Sequence, residues 1–163
     1  MSAPTQLDAD PLALERQVCF ALAVTNRAVL SVYRPLLEPL GLTHPQYLVM
    51  LALWDHHKVS SADTPALSVK QIASALQLDS ATLSPMLKRL QALGLITRTR
   101  STSDERATDI GLTDDGIALR KQALAIPPAV IDRLGVGLAE LEELHRVLTR
   151  VNLAALAANA LTH

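Results

Sequence analysis

The 163-residue sequence holds one cysteine, Cys19, so no disulfide can form within the chain. Aromatic side chains are nearly absent, with Phe20, Tyr33, Tyr47 and Trp54 forming the whole set. So few rings build no platform for stacking on unpaired bases, which excludes RNA- and single-strand-binding sheets of that kind. No apolar run reaches the roughly 18 residues of a membrane span, and no N-terminal stretch resembles a secretion signal. The expectation is a soluble, cytoplasmic protein with no membrane partner. A P-loop, a G-x-G-x-x-G and a Ser-His-Asp order are also missing. Without a second cysteine to resolve an oxidised one, a thiol peroxidase is disfavoured, and neither enzymatic activity nor a cofactor is expected.

What is present supplies an ample core, since 49% of the residues are hydrophobic. Residues 1–10, MSAPTQLDAD, are small and polar and read as a disordered tail. From Pro11 onward Leu14, Val18, Leu22, Thr25, Val29 and Val32 recur at helical spacing, among enough other apolar residues to call for more than one neighbour. The run GLTHPQYLVMLALWDHH predicts a second helix, capped by Thr43, with Pro45 in its first turn and a core stripe of Leu48, Leu51 and Trp54. KVSSADTPA then reads as an exposed loop.

Two short helices follow, over 69–76 and 80–93, separated by the tight turn QLD. Asp79 or Ser80 can cap the second, Leu83, Leu87 and Leu90 form its buried stripe, and Gly94 stops it. LITRTRSTSDERATDIGLT alternates β-branched and polar residues around a charged turn, as a hairpin does. Further helices are predicted over 113–125, ended by Pro127-Pro128, and over 138–161. A helix-turn-helix leading directly into a hairpin is a winged helix, whose second helix enters a major groove while the hairpin reaches the adjacent minor groove.

The predicted fold is therefore mainly α: a winged helix-turn-helix over 58–113, and helical regions over 11–57 and 114–163 that form a dimerisation region. Its long first and last helices carry more apolar surface than one winged helix can cover, so a homodimer is expected.

Charge is distributed to match. Residues 69–106 carry six basic against three acidic side chains, a balance of +3, so with a net charge of −1 overall the remainder carries −4. In the reading helix Ser80, Thr82, Ser84 and Pro85 are small enough to approach base edges, and Lys88 and Arg89 reach phosphate or guanine. The hairpin adds Arg98, Arg100, Asp104 and Arg106 to the predicted DNA-binding set. The expected partner is a palindromic double-stranded operator, with half-sites about one helical turn apart.

The run LDSATLSPMLKRLQALGLITRTRSTSDERATDIGLTDDG closely resembles the reading helix and wing of the MarR family of bacterial winged-helix regulators. The triplet Asp104-Glu105-Arg106 is that family's signature, and the resemblance makes Arg106 the wing-tip side chain of the minor groove. QVCFAL, YRPLLEPLGLTHPQYLVMLALW and LAIP extend the likeness to the organic hydroperoxide-sensing, OhrR-like branch over most of residues 15–128. The resemblance implies an intertwined dimerisation domain, built from the N- and C-terminal helices of two subunits, and a repressor whose DNA binding is controlled by oxidation of Cys19, with organic hydroperoxide as the inducer.

On its neighbours alone Cys19 reads as an inert, buried small hydrophobe; its position under the resemblance makes it the sensor. A thiol reacts with peroxide as its thiolate, so a partner must hold the anion. Tyr33 lies fourteen residues further, on the same helix face but about 21 Å along the axis, so a Tyr33 that touches Cys19 must come from a second subunit. Resembling sensors carry tyrosine at two positions where this chain has Ala23 and His44. A protonated His44 would replace the missing phenol as the second thiolate partner. After the sulfenic acid, Cys19 can pair with a small thiol in a mixed disulfide, form a sulfenamide or oxidise further.

Two other readings compete. A regulator of this family can bind a small organic ligand between its dimerisation and DNA-binding domains, and Ala23 would enlarge such a pocket. Metal sensing is suggested by His44 and Asp55-His56-His57, but no ligand pair has the i, i+4 spacing of helical zinc motifs, so no metal site is predicted.

Overall fold

The computed structural model describes residues 10–61 and 64–158. Of the predicted tail only Asp10 lies within them, its carboxylate accepting from the Leu12 N–H at 2.9 Å. The first helix begins later than its apolar pattern suggests. Leu14–Arg16 form a 3-10 turn, Gln17 is extended, and α1 runs over Val18–Leu37. The Gln17 amide folds back to donate to the Pro11 carbonyl at 2.7 Å, which explains the break. Cys19 therefore stands in the first turn of α1.

A 3-10 turn, Glu38–Leu40, follows α1 and ends at Gly41, whose φ of 69° is left-handed. Helix α2, His44–Val59, starts with a capping box: the Thr43 hydroxyl accepts from the Gln46 N–H, and the Gln46 side chain accepts from the Thr43 N–H at 2.9 Å. Its buried residues are Gln46, Tyr47, Val49, Met50, Leu53 and Trp54. This corrects the predicted stripe, since Leu48 and Leu51 are 37% and 40% exposed. The helix is apolar on two sides, and periodicity alone does not say which side meets the core.

Part of the region read as a loop forms a strand, β1, Leu67–Ser68. It is followed by α3, Val69–Leu76, and α4, Ser80–Ala92. The intervening turn places Gln77 at a φ of 53°, a left-handed cap on a non-glycine residue. The hairpin is β2, Ile96–Arg100, and β3, Thr108–Leu112, antiparallel with Arg98 opposite Ile110. β1 pairs with the other edge of β3, giving the order β1-β3-β2. Ile72, Leu83, Leu87, Leu90, Ile96 and Ile110 are each at most 2% exposed and pack with Val49, Met50 and Leu53 of α2. Full burial of such a side chain stabilises by about 1.5–3 kcal/mol, so this cluster fixes the reading helix to the sheet.

Helix α5, Asp114–Ala123, is capped by Thr113, which also donates from its hydroxyl to the Gly94 carbonyl at 2.6 Å. Pro127 and Pro128 do not end a helix as expected; they lie in the first turn of a separate one, α6, Ile126–Leu134. Proline lacks the N–H that a first turn leaves unpaired anyway, so it starts a helix without cost. The last helix, α7, Leu138–Ala157, has no buried residue.

Trp54 donates from Nε1 to the carbonyl of Gly116 at 2.8 Å, joining α2 to the first turn of α5. A Cβ on Gly116 would lie 2.1 Å from the Leu95 carbonyl oxygen, so only glycine fits. Gly116→Ala should destabilise by about 3 kcal/mol. Gly137→Ala, whose added carbon meets only a flexible Glu140 side chain at 3.6 Å, should be close to neutral. Thermal unfolding of the two variants checks this.

Candidate DNA interface and cysteine site

Asp79 begins the reading helix α4. Its Oδ1 accepts from the Thr82 N–H at 2.7 Å and its Oδ2 accepts from the Thr82 hydroxyl at 2.8 Å. The backbone N–H first, and then the hydroxyl, hold the Asp79 carboxyl below its ordinary range. The Thr82 hydroxyl proton is thus committed to the cap, and its oxygen is left as an acceptor. Leu83, Leu87 and Leu90 face the core, which turns Ser80, Thr82, Pro85, Lys88 and Arg89 to solvent and leaves Ser84 half-buried. Apart from Ser84, these predicted residues lie on the solvent-exposed part of one helix, as insertion into a groove requires.

The hairpin separates its residues into two groups. Arg98 and Arg100 stand on β2, and Arg98 is half-buried, its Nε enclosed without a hydrogen-bond partner. Asp104 and Arg106 lie in the exposed turn at the wing tip. There the Asp104 carboxylate accepts from the Arg106 N–H at 3.0 Å, and the Asp104 carbonyl accepts from the Ala107 N–H at 2.8 Å. Asp104 therefore shapes the turn that presents Arg106; its carboxylate would repel phosphate.

Cys19 is exposed. It stands where the first-turn N–H groups of α1 have no partner within the helix. Tyr33, near the far end of α1, packs instead on α2. Its ring meets His44 edge-on with centroids 5.0 Å apart and lies 6.1 Å from Tyr47, and His44 and Tyr47 are 6.4 Å apart. Tyr33 and His44, paired by the sequence reading, are thus brought together, but not with Cys19 of the same chain. Tyr47 completes the cluster and was missed, although its place one turn after His44 puts both on one face of α2.

Burial pushes the His44 imidazole below its ordinary 6.5, so at neutral pH it is an uncharged ring with a single N–H to donate. This departs from the imidazolium expected above. Burial, and secondarily Tyr33, raises the Tyr47 phenol above 10.0 and keeps it protonated. His56, one of the histidines that suggested metal sensing before that reading was set aside, has its Nε2 3.0 Å from the Pro65 carbonyl. An apolar groove of about 820 Å³ runs between α1, α6 and α7, lined by Val18, Leu22, Val29, Val130, Leu144 and Leu148 among others.

Two predictions follow from this geometry. Arg106→Ala should weaken DNA binding chiefly at A·T-rich flanks, where a narrow minor groove attracts arginine, whereas Lys88→Ala should lower affinity evenly and reduce the salt slope by about 1. Binding isotherms at several salt concentrations, on duplexes that differ only in their flanks, separate the two effects. For His44 the depressed value means the unfolded chain binds more protons, so stability falls as pH drops below 6.5 and that component is lost in His44→Gln. Urea midpoints at about pH 7.5 and about pH 5.5 should shift less in the variant than in the wild type.

The family described as Transcriptional regulator SarA/Rot matches residues 31–122. The organic hydroperoxide resistance transcriptional regulator of Bacillus subtilis is 45% identical over 122 residues, 75% of this chain and 78% of that protein. The HTH-type transcriptional regulator TtmR of Methylorubrum extorquens is 44% identical over 131 residues, 80% of this chain but only 63% of TtmR. Among solved structures, reduced AbfR of Staphylococcus epidermidis bound to DNA superposes with a TM-score of 0.71 at 32% identity, over 89% of this chain and 94% of that one.

Proposed function

The chain belongs to the MarR/SarA family of winged-helix, DNA-binding transcriptional regulators, and on that premise we propose that it is a homodimeric repressor released from DNA when an organic hydroperoxide oxidises Cys19. It is a regulator and not an enzyme. The observation that carries the redox reading is the separation of its parts. An exposed Cys19 opens α1, while the aromatic cluster of Tyr33, His44 and Tyr47 gathers at the other end. A second copy whose α1 crosses the first in the opposite sense brings each cysteine to the other copy's cluster. The apolar groove and the wholly unburied α7 favour such a pairing, in which residues 11–57 and 114–163 form the dimerisation region and 58–113 the DNA-binding region.

In this reading Tyr33 and the neutral His44 of one subunit donate hydrogen bonds to the Cys19 thiolate of the other. The sulfur attacks the terminal peroxide oxygen, the O–O bond breaks, and the alkoxide leaves as an alcohol after taking up a proton. The sulfenic acid can then condense with a small thiol, releasing water and forming a mixed disulfide. The similar protein from Bacillus subtilis is a regulator of organic hydroperoxide resistance, which supports this oxidant class.

A second reading has a small organic ligand, held between the dimerisation and DNA-binding regions, release the DNA with Cys19 not redox-active; a cleft of about 240 Å³ lies there, lined by Leu53, His57, Ile110 and Ile117 among others. Cys19→Ser separates them. The variant should bind the same duplex as the reduced wild type. One equivalent of cumene hydroperoxide should weaken wild-type binding by on the order of tenfold, add one oxygen atom to Cys19 by mass, and leave the variant unchanged. Equal responses of the two proteins, or an unmodified Cys19 in released protein, would transfer the role to that cleft.

A further inference from the structure

The end of α2 makes two long-range hydrogen bonds. Trp54 bonds the Gly116 carbonyl, and His56 Nε2 lies 3.0 Å from the carbonyl of Pro65. A carbonyl only accepts, so the imidazole carries a proton on Nε2 and donates it. This bond draws the chain back onto α2 just before β1.

β1 has two residues, paired as Leu67 with Ile110 and Ser68 with Asp109. So short a strand is weakly held by its own ladder. Yet Ser68 is also the N-cap of α3, accepting from the Gln71 N–H at 3.2 Å while its own N–H donates to the Gln71 side chain at 2.8 Å. Residues 65–68 therefore bond on one side to a wing strand and on the other begin the helix-turn-helix. Beyond β1, a cleft of about 420 Å³ lies between the loop and the wing, with His56 and Thr64 on the side of the loop and Ser101 and Asp104 on the side of the wing. The inner face of the wing's base is held by the core packing of Ile96 and Ile110. Its free edge is held where β1 meets β3, and β1 is moored by His56.

We infer that His56 is a positioning residue for DNA binding: its hydrogen bond to the Pro65 carbonyl moors the strand that pairs with the free edge of the wing, and so tunes how Arg106 meets the minor groove. The inference rests on the DNA binding of the family and not on oxidation of Cys19. The test therefore uses the full, reduced chain and a palindromic duplex selected by the wild type from a random-sequence library. His56→Ala and His56→Phe remove the donor, whereas His56→Gln keeps an N–H at comparable reach.

Hydroxyl-radical footprinting should show the first two losing protection at the minor-groove flanks while keeping it at the major-groove core. Their affinity should fall about fivefold, the size of one net hydrogen bond. His56→Gln should footprint as the wild type. Wild-type footprints from the Ala and Phe variants, equal loss at core and flanks, or failure of Gln to restore the flanks would each overturn the assignment. Should His56→Ala fail to fold, His56→Phe, which keeps the ring volume, carries the comparison.

Discussion

A buried indole N–H must find an acceptor, and Trp54 finds it sixty-two residues away, at the carbonyl of Gly116. That carbonyl is accessible because Gly116 has no side chain and its backbone presses on Leu95. Beside it, the Thr113 N–H donates to the Leu95 carbonyl at 3.1 Å and the Thr113 hydroxyl donates to Gly94. Four junctions thus meet at one place: the end of the reading helix, the start of β2, the end of β3 and the start of α5. The indole ties all of them to α2, so the DNA-reading elements move with that helix or not at all.

Helix α2 is also where the other half of the molecule is anchored. Its first residue, His44, belongs to the aromatic cluster with Tyr33, its middle supplies Val49, Met50 and Leu53 to the core, and its last turns hold Trp54 and His56. Sixteen helical residues span about 24 Å, enough to connect the cluster with the base of the wing through one hydrogen-bonded rod. Under the redox reading, an oxygen or a small thiol added to Cys19 beside that cluster would need space, and a displaced His44 end would carry its opposite end along. Packed cores shift between discrete arrangements and do not deform smoothly, so a small change at one end has a route to the other.

Under the redox reading, the neutral state of His44 alters the chemistry expected at Cys19. A phenol and an uncharged imidazole both donate one hydrogen bond to a thiolate, so the replacement preserves donation without adding a cation. The burial that keeps the imidazole uncharged comes from its packing at the start of α2, under Tyr33 and beside Tyr47.

Much was legible in the sequence because its signals are local. The cap at Thr43, the choice of Asp79 or Ser80 as the next cap, the left-handed stop at Gly94 and the spacing of Leu83, Leu87 and Leu90 each depend on residues within about one turn, and the structure has Thr43, Asp79 and Gly94 in those places. The wing and its exposed arginine at 106 follow from strand alternation around a charged turn. Tertiary structure decided the rest. It chose which of two apolar sides of α2 was buried, turned Pro127-Pro128 from a stop into a start, and drew β1 out of an apparent loop by offering it the free edge of β3. It also assembled Tyr33, His44 and Tyr47, joined Trp54 to Gly116 and moored Pro65 to His56. The amino-acid order determines each element from its own few residues, whereas these contacts depend on surfaces brought together from distant parts of the chain, and no local periodicity encodes which surfaces will meet.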